Sequence, residues 1–177
     1  MVQLKGKFVT LTAALMGVYP EARDNADQVL FQATGKHWNE LDPEDWYDID
    51  HYQKFLAAYV QASPTGEKAM VTLGRNVYPT IKRTTGLPPH LTTPLDYIKF
   101  EAQGYLENHQ GVGAEPRKFL KSEEGDVAVQ IDKVHNCLTM EGVYLGILEM
   151  VGAAGGKVEH KKCIKCGDAV CELHITW

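Results

Sequence analysis

The sequence predicts an α+β fold, with a mainly helical part over residues 1–112 packed on a C-terminal antiparallel sheet with one crossing helix over residues 113–177. Two observations carry this prediction. In the first part, prolines recur at the start of segments with helical apolar spacing. In the second part, apolar and polar residues alternate with the two-residue period of a half-buried strand. The length of 177 residues suits a single domain with a substantial core.

Proline marks the predicted helix starts. It is favoured at the first helical position because the N–H group that it lacks would have no partner there. Asp42 is the predicted N-cap of the second helix, Gly35 is predicted to end the first, and Pro79 to kink or end the third. The predicted first positions are Pro20, Pro43, Pro64 and Pro94.

Strand signals begin after residue 112. Turns at Gly125 and Gly167 each separate two segments with alternating polarity, and an apolar helical segment lies between the two pairs. The predicted strands are 117–122, 126–132, 157–162 and 170–177, and the predicted helix is 140–151. One face of the last strand is predicted to carry Cys171, Leu173, Ile175 and Trp177.

Charge and hydropathy exclude several classes of function. The net charge is −5, from 18 Lys and Arg against 23 Asp and Glu, and no basic stripe occurs, so nucleic acid is not an expected partner. No apolar run reaches the length of a membrane span. The N-terminus lacks the long apolar core and cleavage site of a signal peptide, so we expect a cytoplasmic protein.

Motifs of catalysis are absent from the sequence. The Gly-Gly-Lys segment at 155–157 lacks the earlier glycine and the following Ser or Thr of a phosphate-binding loop. No dinucleotide-binding glycine pattern follows a strand. Neither a nucleophile elbow nor a Ser/His/Asp order occurs, and the acidic pairs lie at turns and helix starts. We therefore expect a binding protein, with no catalytic residues, rather than an enzyme.

The four cysteines lie close together near the end of the chain. Cys163, Cys166 and Cys171 flank the final hairpin turn, His160 precedes it, and Cys137 precedes the crossing helix. In a cytoplasmic protein such a cluster favours metal binding, and zinc takes four ligands of this kind. A C-x-x-C redox site is disfavoured because the pair lies in a hairpin turn and not at a helix start. The spacing leaves open a second interpretation, in which the cysteines are small buried apolar residues.

The stretch KCIKCGDAVCELHITW, with CLTMEGVYLGILEMVG before it, resembles the vinyl-four-reductase-type domain. Members of that family share a cysteine before a glycine-containing helix and a closing C-x-x-x-G-D-x-x-C-x-F-x-I pattern. Their superfamily includes haem-nitric-oxide-binding domains, subunits of a Golgi transport particle, and the sensor domains of aromatic-responsive transcription activators. The matching residues are Cys163, Gly167, Asp168, Cys171, Ile175, and Leu173 in place of the usual Phe.

The resemblance also implies a zinc site. The aromatic-responsive relatives hold zinc with an upstream Cys, an acidic residue, and two further Cys, which correspond here to Cys137, Cys163 and Cys171, with His160 at the acidic position. Glu159 is an alternative fourth ligand because it shares strand parity with Cys163, and Cys166 is another. Four protein ligands leave no position for water, so the zinc would be structural.

Aromatic side chains of the helical part are the predicted lining of an apolar ligand pocket, which the resemblance implies. At helical spacing the same residues also suit a plain core. His109 is the candidate axial ligand if the chain binds haem, although it also suits the C-terminal end of a helix, and the Tyr-x-Ser-x-Arg clamp of haem-binding relatives is absent. The predicted pocket residues are Trp38, Trp46, Phe55, Tyr59, Phe100, Tyr105 and His109.

The function that the resemblance implies is a small-molecule-binding sensor or regulatory domain with a structural zinc site. Its expected partners are a small apolar or aromatic molecule, a second copy in a homodimer, and a separate signalling protein. One alternative is a haem-dependent sensor of a gas such as NO or O2. The other is a reductase acting on a vinyl or tetrapyrrole substrate, which only the name of the family supports.

Overall fold

The computed structural model describes residues 1–131, 133–153 and 155–177. It confirms the α+β class, because α-helices dominate the N-terminal part and an antiparallel four-stranded sheet follows. Within the described residues, no helix combines the length and the apolar character that crossing a membrane requires.

The chain divides into two compact units. The first contains Met1–Ala69 and Asn108–Ala114, and the second contains Met70–Glu107 and Glu115–Trp177. The helices over 70–107 thus belong with the C-terminal sheet and not with the N-terminal helices. The single ligand-binding domain over residues 1–177 remains a prediction.

A short antiparallel sheet and three helices build the first unit. Their bounds are β1 (Gln3–Lys5), α1 (Gly6–Leu15), α2 (Pro20–Thr34), β2 (Trp46–Asp48), α3 (Ile49–Ala62) and β3 (His109–Gln110). β1 is the central strand, since Leu4 pairs with Tyr47 on one side and with His109 on the other. α2 packs against α3, which buries an apolar face that includes Phe55 and Tyr59.

The second unit contains the larger sheet and the helices that cover it. Their bounds are α4 (Lys68–Arg75, which begins in the first unit), α5 (Val77–Thr84), α6 (Pro94–Asn108, which ends in the first unit), β4 (Lys118–Glu123), β5 (Asp126–Ile131), α7 (Cys137–Met150), β6 (Lys157–Lys162) and β7 (Cys171–Thr176). The strand order is β4-β5-β7-β6, with every neighbouring pair antiparallel. Val129 and Leu173 pair across β5 and β7 and are fully buried, so one face of the sheet forms the core.

Glycines allow α7 to approach α4 closely. A Cβ at Gly142 would overlap the carbonyl oxygen of Val71, and a Cβ at Gly74 would overlap that of Thr139. The two backbones therefore meet without intervening side chains. Arg75 and Glu149 form an ion pair beside this contact.

The predicted helix start at Asp42 and Pro43 is wrong. The helix begins later, at Ile49, where the carboxylate of Asp48 accepts a hydrogen bond from the N–H of Asp50 at 2.9 Å. Asp42 instead caps a turn, in which its side chain accepts from the N–H of Glu44. The residues between, Trp46–Asp48, are strand β2, because β1 pairs with them.

Two further prolines differ from their predictions: Pro64 does not begin a helix, and Pro79 lies in the first turn of a helix instead of kinking or ending one. Pro64 lies in a turn, closed by a bond from the N–H of Gly66 to the carbonyl of Ser63, and α4 begins only at Lys68. Pro79 lies in the first turn of α5, where its missing N–H has no partner to lose. The chain therefore breaks before Pro79, between α4 and α5.

The remaining predicted elements are confirmed with small shifts. Pro20 and Pro94 begin α2 and α6, and Gly35 ends α2 in the left-handed conformation. The predicted strands agree with β4, β5, β6 and β7, although Asp132, the predicted end of one strand, lies outside the described residues. α7 begins at Cys137, three residues earlier than predicted, because the Asn136 side chain accepts from the N–H of Leu138.

Candidate metal site

Three predicted ligands come together in the second unit. Cys137 is the first residue of α7, His160 lies on β6, and Cys163 directly follows that strand. One ligand atom from each lies within 4.8 Å of the other two. The sulfurs of Cys137 and Cys163 are 3.5 Å apart, and both side chains are buried. This separation suits two thiolates that share one metal ion.

A β-bulge explains how His160 and Cys163 reach the same side of the sheet. In a regular strand, residues three apart face opposite sides, which is the reason that parity favours Glu159. The pairing of β6 with β7 shifts register between His160 and Lys162, and this irregularity turns the strand. Glu159 instead lies on the exposed face, where its carboxylate accepts a hydrogen bond from Lys161 at 2.6 Å.

The turn after Cys163 directs N–H groups at sulfur. The N–H of Ile164 donates to Cys171 Sγ at 3.3 Å. The N–H groups of Lys165 and Cys166 lie near the Cys163 sulfur and favour its thiolate, which lowers the pKa of that thiol. Gly167 closes the turn with a φ of 96°, a conformation that favours glycine. N–H donors of this kind stabilise negative charge on sulfur, so the turn is suited to thiolate ligands.

The thiols of this cluster influence one another strongly. Burial, together with the nearby Cys163 and Cys171 sulfurs, raises the pKa of the Cys137 thiol to about 12. Burial alone would raise the pKa of Cys163, but hydrogen bonds from Cys137 and from the backbone bring it below its ordinary value. Without a cation, Cys137 therefore keeps its proton, whereas a bound divalent ion would displace that proton.

His160 has the environment of a metal-bound histidine. Its Nε2 lies 2.9 Å from Glu141 Oε2, while its buried Nδ1 has no hydrogen-bond partner among the described residues. A carboxylate that accepts from one ring nitrogen fixes the ring and leaves the lone pair of the other for a metal. Sequence reasoning missed Glu141, although its position four residues after Cys137 on a helix places both on one face.

Cys171 and Cys166 lie near the three clustered residues but outside that group. Cys171 begins β7 and is buried, and its sulfur interacts with that of Cys137. Cys166 is exposed, and the negative charge of Cys163 raises the pKa of its thiol. The choice of the fourth ligand stays a prediction.

The predicted pocket residues are divided between the two units. Phe55, Tyr59 and His109 are buried in the first unit, where the His109 ring lies 5.6 Å from that of Phe8. His109 begins β3 and does not end α6, because its backbone pairs with Leu4. Phe100 and Tyr105 belong to the second unit, and the half-buried Trp38 and Trp46 to the first. A single pocket formed by all of them stays a prediction.

A buried polar network in the second unit was not predicted from the sequence. Arg117 Nη2 donates to Glu101 Oε1 at 3.0 Å, and the hydroxyl of Tyr144 donates to Glu101 Oε2 at 3.1 Å. The Arg117 guanidinium also lies 4.2 Å from the centre of the Tyr105 ring, which suits a cation–π contact. Burial, and then the charge of Glu101, raises the pKa of Tyr144 well above its ordinary value.

Comparisons with known proteins show similarity in structure alone. No protein-family model matches the chain, and no curated protein matches it. An oxygen-binding H-NOX domain related to soluble guanylate cyclases, solved as its oxygen complex, aligns with a TM-score of 0.72 and 14% identity over 98% of this chain and 94% of that chain. A Cs H-NOX mutant that carries the unnatural amino acid 4-cyano-L-phenylalanine aligns with a TM-score of 0.70 and 16% identity, over 98% and 96% of the two chains.

A third similar structure comes from work on heme redox potential and porphyrin distortion. It aligns with a TM-score of 0.71 and 14% identity, over 98% of this chain and all of that chain. These likenesses establish an H-NOX-like fold.

Proposed function

We propose that this chain is a small-molecule-binding sensor domain whose second unit holds a structural zinc ion. The observation that carries the zinc site is the buried Nδ1 of His160, which has no hydrogen-bond partner among the described residues and belongs to a residue clustered with Cys137 and Cys163. A neutral imidazole and thiolates are the ligands that zinc prefers. The likeness to the H-NOX fold and the C-terminal resemblance to vinyl-four-reductase-type domains support the sensor role.

Cys171 is the fourth ligand in this proposal. It is buried, it interacts with Cys137, and its sulfur already accepts an N–H bond as a thiolate ligand would. Four protein ligands leave no open position, so the ion would join α7 to the β6–β7 hairpin and would not activate water. We call the set Cys137, His160, Cys163 and Cys171 the clasp.

The proposed ligand is a small apolar or aromatic molecule, and the proposed output is an interaction with a separate signalling protein. A cytoplasmic homodimer is the proposed working form. The absence of catalytic motifs from the sequence supports binding over catalysis.

The test of the clasp is zinc content combined with thermal stability. We expect one zinc per chain in the purified protein and in Cys166→Ala, which changes an exposed thiol. We expect Cys171→Ala to lose the metal and to unfold at a temperature lower by on the order of 10 °C, because metal binding contributes to the free energy of folding. A wild-type protein with less than a tenth of an equivalent of zinc would refute the site. Loss of zinc in Cys166→Ala would assign the fourth position to Cys166.

The comparisons favour a second candidate, a haem-dependent gas sensor. The similar structures are H-NOX domains, and among their descriptions are an oxygen complex and studies of heme distortion. The residues of this chain fit haem poorly. A haem iron needs an axial ligand, and α6 offers no histidine for this role, which leaves the buried imidazole of His109. A haem propionate needs a cationic partner, and the buried Arg117 that could serve is already neutralised by Glu101.

A haemin titration followed by absorbance separates the two candidates. Because Arg117 is already paired with Glu101, we expect that the purified protein does not change the haemin spectrum. We expect the same result for the His109→Ala variant. His37→Ala is the matched control, since His37 pairs with Asp27 on the surface of the first unit. A Soret band present in the wild type and in His37→Ala, but lost in His109→Ala, would establish the haem sensor.

A further inference from the structure

The buried pair of Glu101 and Arg117 in the second unit has the form of a carboxylate-binding site. Nε and Nη2 of Arg117 donate to Oε1 of Glu101 at 3.3 and 3.0 Å. The hydroxyl of Tyr144 donates to the other oxygen, Oε2, at 3.1 Å. Donors on α7 and on the segment before β4 thus bind both oxygens of one carboxylate, which α6 supplies.

Solvent hardly reaches this site. The side chains of Glu101 and Arg117 are 9% and 2% exposed, and Tyr144 is fully buried in an apolar cluster that includes Ile98 and Leu148. Removing two charges from water costs free energy, and apolar residues of similar volume often stabilise a core at least as well as a buried ion pair. Stability alone therefore does not account for charges at this depth, and charges held in this way are typical of binding sites.

Contacts other than the one with Glu101 hold the Arg117 guanidinium in place. It lies 4.2 Å from the centre of the Tyr105 ring, and its Nη2 lies 3.6 Å from the sulfur of Met140. Burial, and then the charge of Glu101, raises the pKa of Tyr78 on α5 well above its ordinary value, so this hydroxyl also lies near the site. The donors would therefore remain oriented if the Glu101 carboxylate left.

We propose that Arg117 and Tyr144 form a binding site for a small carboxylic acid, and that Glu101 occupies this site as an internal ligand in the free protein. An external carboxylate would accept the same hydrogen bonds once Glu101 has left. This inference deepens the proposed function, because it names the chemical class of the small molecule. It rests on the small-molecule-binding part of that proposal and not on the zinc clasp.

Glu101 determines which acids can bind. Because it belongs to the same chain, its carboxylate has a much higher effective concentration at Arg117 than a dissolved anion has. A simple anion such as acetate therefore competes poorly. An acid with an apolar body gains further free energy from burying that body in the surrounding apolar cluster. The ligand class is thus an apolar or aromatic carboxylic acid.

Chemical rescue by acetate tests the site. Glu101→Ala removes a methylene and a carboxylate, which correspond to an acetate ion, and leaves Arg117 without that counter-charge. Unfolding is followed by circular dichroism at neutral pH in sodium acetate, in acetamide as the uncharged probe of the same size, and in sodium chloride of equal ionic strength. We expect the unfolding temperature of Glu101→Ala to rise by about 4 °C in about 100 mM acetate, as for a dissociation constant of about 10 mM, with no such rise in acetamide or chloride.

Further variants separate the site from a general effect of the salt. In the Glu101→Ala background, Arg117→Met should abolish the acetate response. Tyr144→Phe in the same background should require about tenfold more acetate for the same rise, because one hydrogen bond to the carboxylate is lost. Ile98→Ala is the matched control, since it truncates a fully buried side chain of the same helix and leaves every charge paired, and it should not respond to acetate.

The wild type tests the ligand class. Acetate should bind it about 100-fold more weakly than it binds Glu101→Ala, because Glu101 fills the site. Benzoate should raise the unfolding temperature of the wild type more than acetate or benzyl alcohol does at equal concentration, and Arg117→Met should remove that difference. A wild type that responds no more to benzoate than to acetate would refute the small-molecule role, even where rescue of Glu101→Ala shows that the site exists.

Three results would overturn the site itself: equal rises of Glu101→Ala in acetate and chloride, a rise that persists with Arg117→Met, or no rise in acetate. If Glu101→Ala does not fold in chloride, the measurement becomes the recovery of the native circular dichroism in acetate, and no recovery also overturns the site. The zinc content of the same proteins tests the clasp separately. Failed rescue in a protein with one zinc per chain would refute the carboxylate site and leave the clasp standing.

Discussion

The side chain of Glu141 supports His160 as a metal ligand. Its carboxylate lies 2.9 Å from Nε2 of the ring, and both side chains are partly shielded from solvent. When Nε2 carries the proton, Glu141 holds that tautomer and leaves Nδ1 able to bind a metal.

We expect Glu141→Gln to weaken zinc binding by about 10- to 100-fold, the usual effect of removing such a partner. The amide has the same size but no charge, and it does not select the tautomer in the same way. Competition with a chelator of known affinity measures the change. Glu159→Gln is the control, since Glu159 pairs with Lys161 on the exposed face of the same strand. Equal affinities of Glu141→Gln and wild type would show that Glu141 does not support the site.

The candidate metal ligands could be identified from the sequence because the spacing of cysteine and histidine residues along the chain is itself a recognisable pattern. Glu141 and the Glu101–Arg117 pair could not be named in this way. Acidic residues are common, and which basic group meets Glu101 depends on how α6 approaches the residue before β4. The bulge at His160 is likewise set by pairing with β7 and not by β6 itself.

At the scale of elements, strand pairing overrides local signals. Asp42 and Pro43 have the residue types of a helix start, yet Trp46–Asp48 pair with β1 as a strand. The helix therefore begins only after them, at Ile49. β1 itself has only three residues, too few for periodicity to reveal. The hairpin β6–β7 was predictable because its alternation is long enough and glycine marks its turn.

The close contact of α7 with α4 gives a prediction about packing. We expect Gly142→Ala to lower the free energy of unfolding by about 1–3 kcal/mol, because the added methyl group would overlap the Val71 carbonyl oxygen and force the helices apart. Gly104→Ala in α6 is the matched control. The methyl group added at position 104 would have no atom within 4 Å. This variant should raise the free energy of unfolding by about 0.5–1 kcal/mol, because alanine has a higher helix propensity than glycine. Urea unfolding measures both, and a stabilising Gly142→Ala would contradict the contact.

At the scale of the whole molecule, each unit buries ionisable groups that were not predicted from the sequence. The hydroxyl groups of Tyr52 and Thr12 form a hydrogen bond of 2.9 Å in the first unit, and the Tyr144 hydroxyl donates a hydrogen bond to Glu101 in the second unit. Burial is the main cause that raises the pKa of each. Buried hydroxyls must find partners, so both units have specific polar contacts in otherwise apolar interiors. These contacts make the stability of the molecule depend on alkaline pH.

The first unit allows that dependence to be measured at one residue. Burial raises the pKa of Tyr52 from an ordinary value of about 10 to about 12. Between these pH values the Tyr52 hydroxyl loses its proton in the unfolded chain and keeps it in the folded chain. The contribution of Tyr52 to the free energy of unfolding is therefore fully present below pH 10 and is lost as the pH rises toward 12. The loss attributable to Tyr52 should be about 1.4 kcal/mol at pH 11 and approach about 3 kcal/mol above pH 12.

We therefore expect the wild type to lose about 1.4 kcal/mol more than Tyr52→Phe between pH 8 and pH 11 in urea unfolding followed by circular dichroism. The lost hydrogen bond to Thr12 weakens the variant at both pH values and cancels in the difference. Identical pH dependence in wild type and Tyr52→Phe would mean that solvent reaches the Tyr52 hydroxyl, and the interior of the first unit would then be more open than its packing indicates.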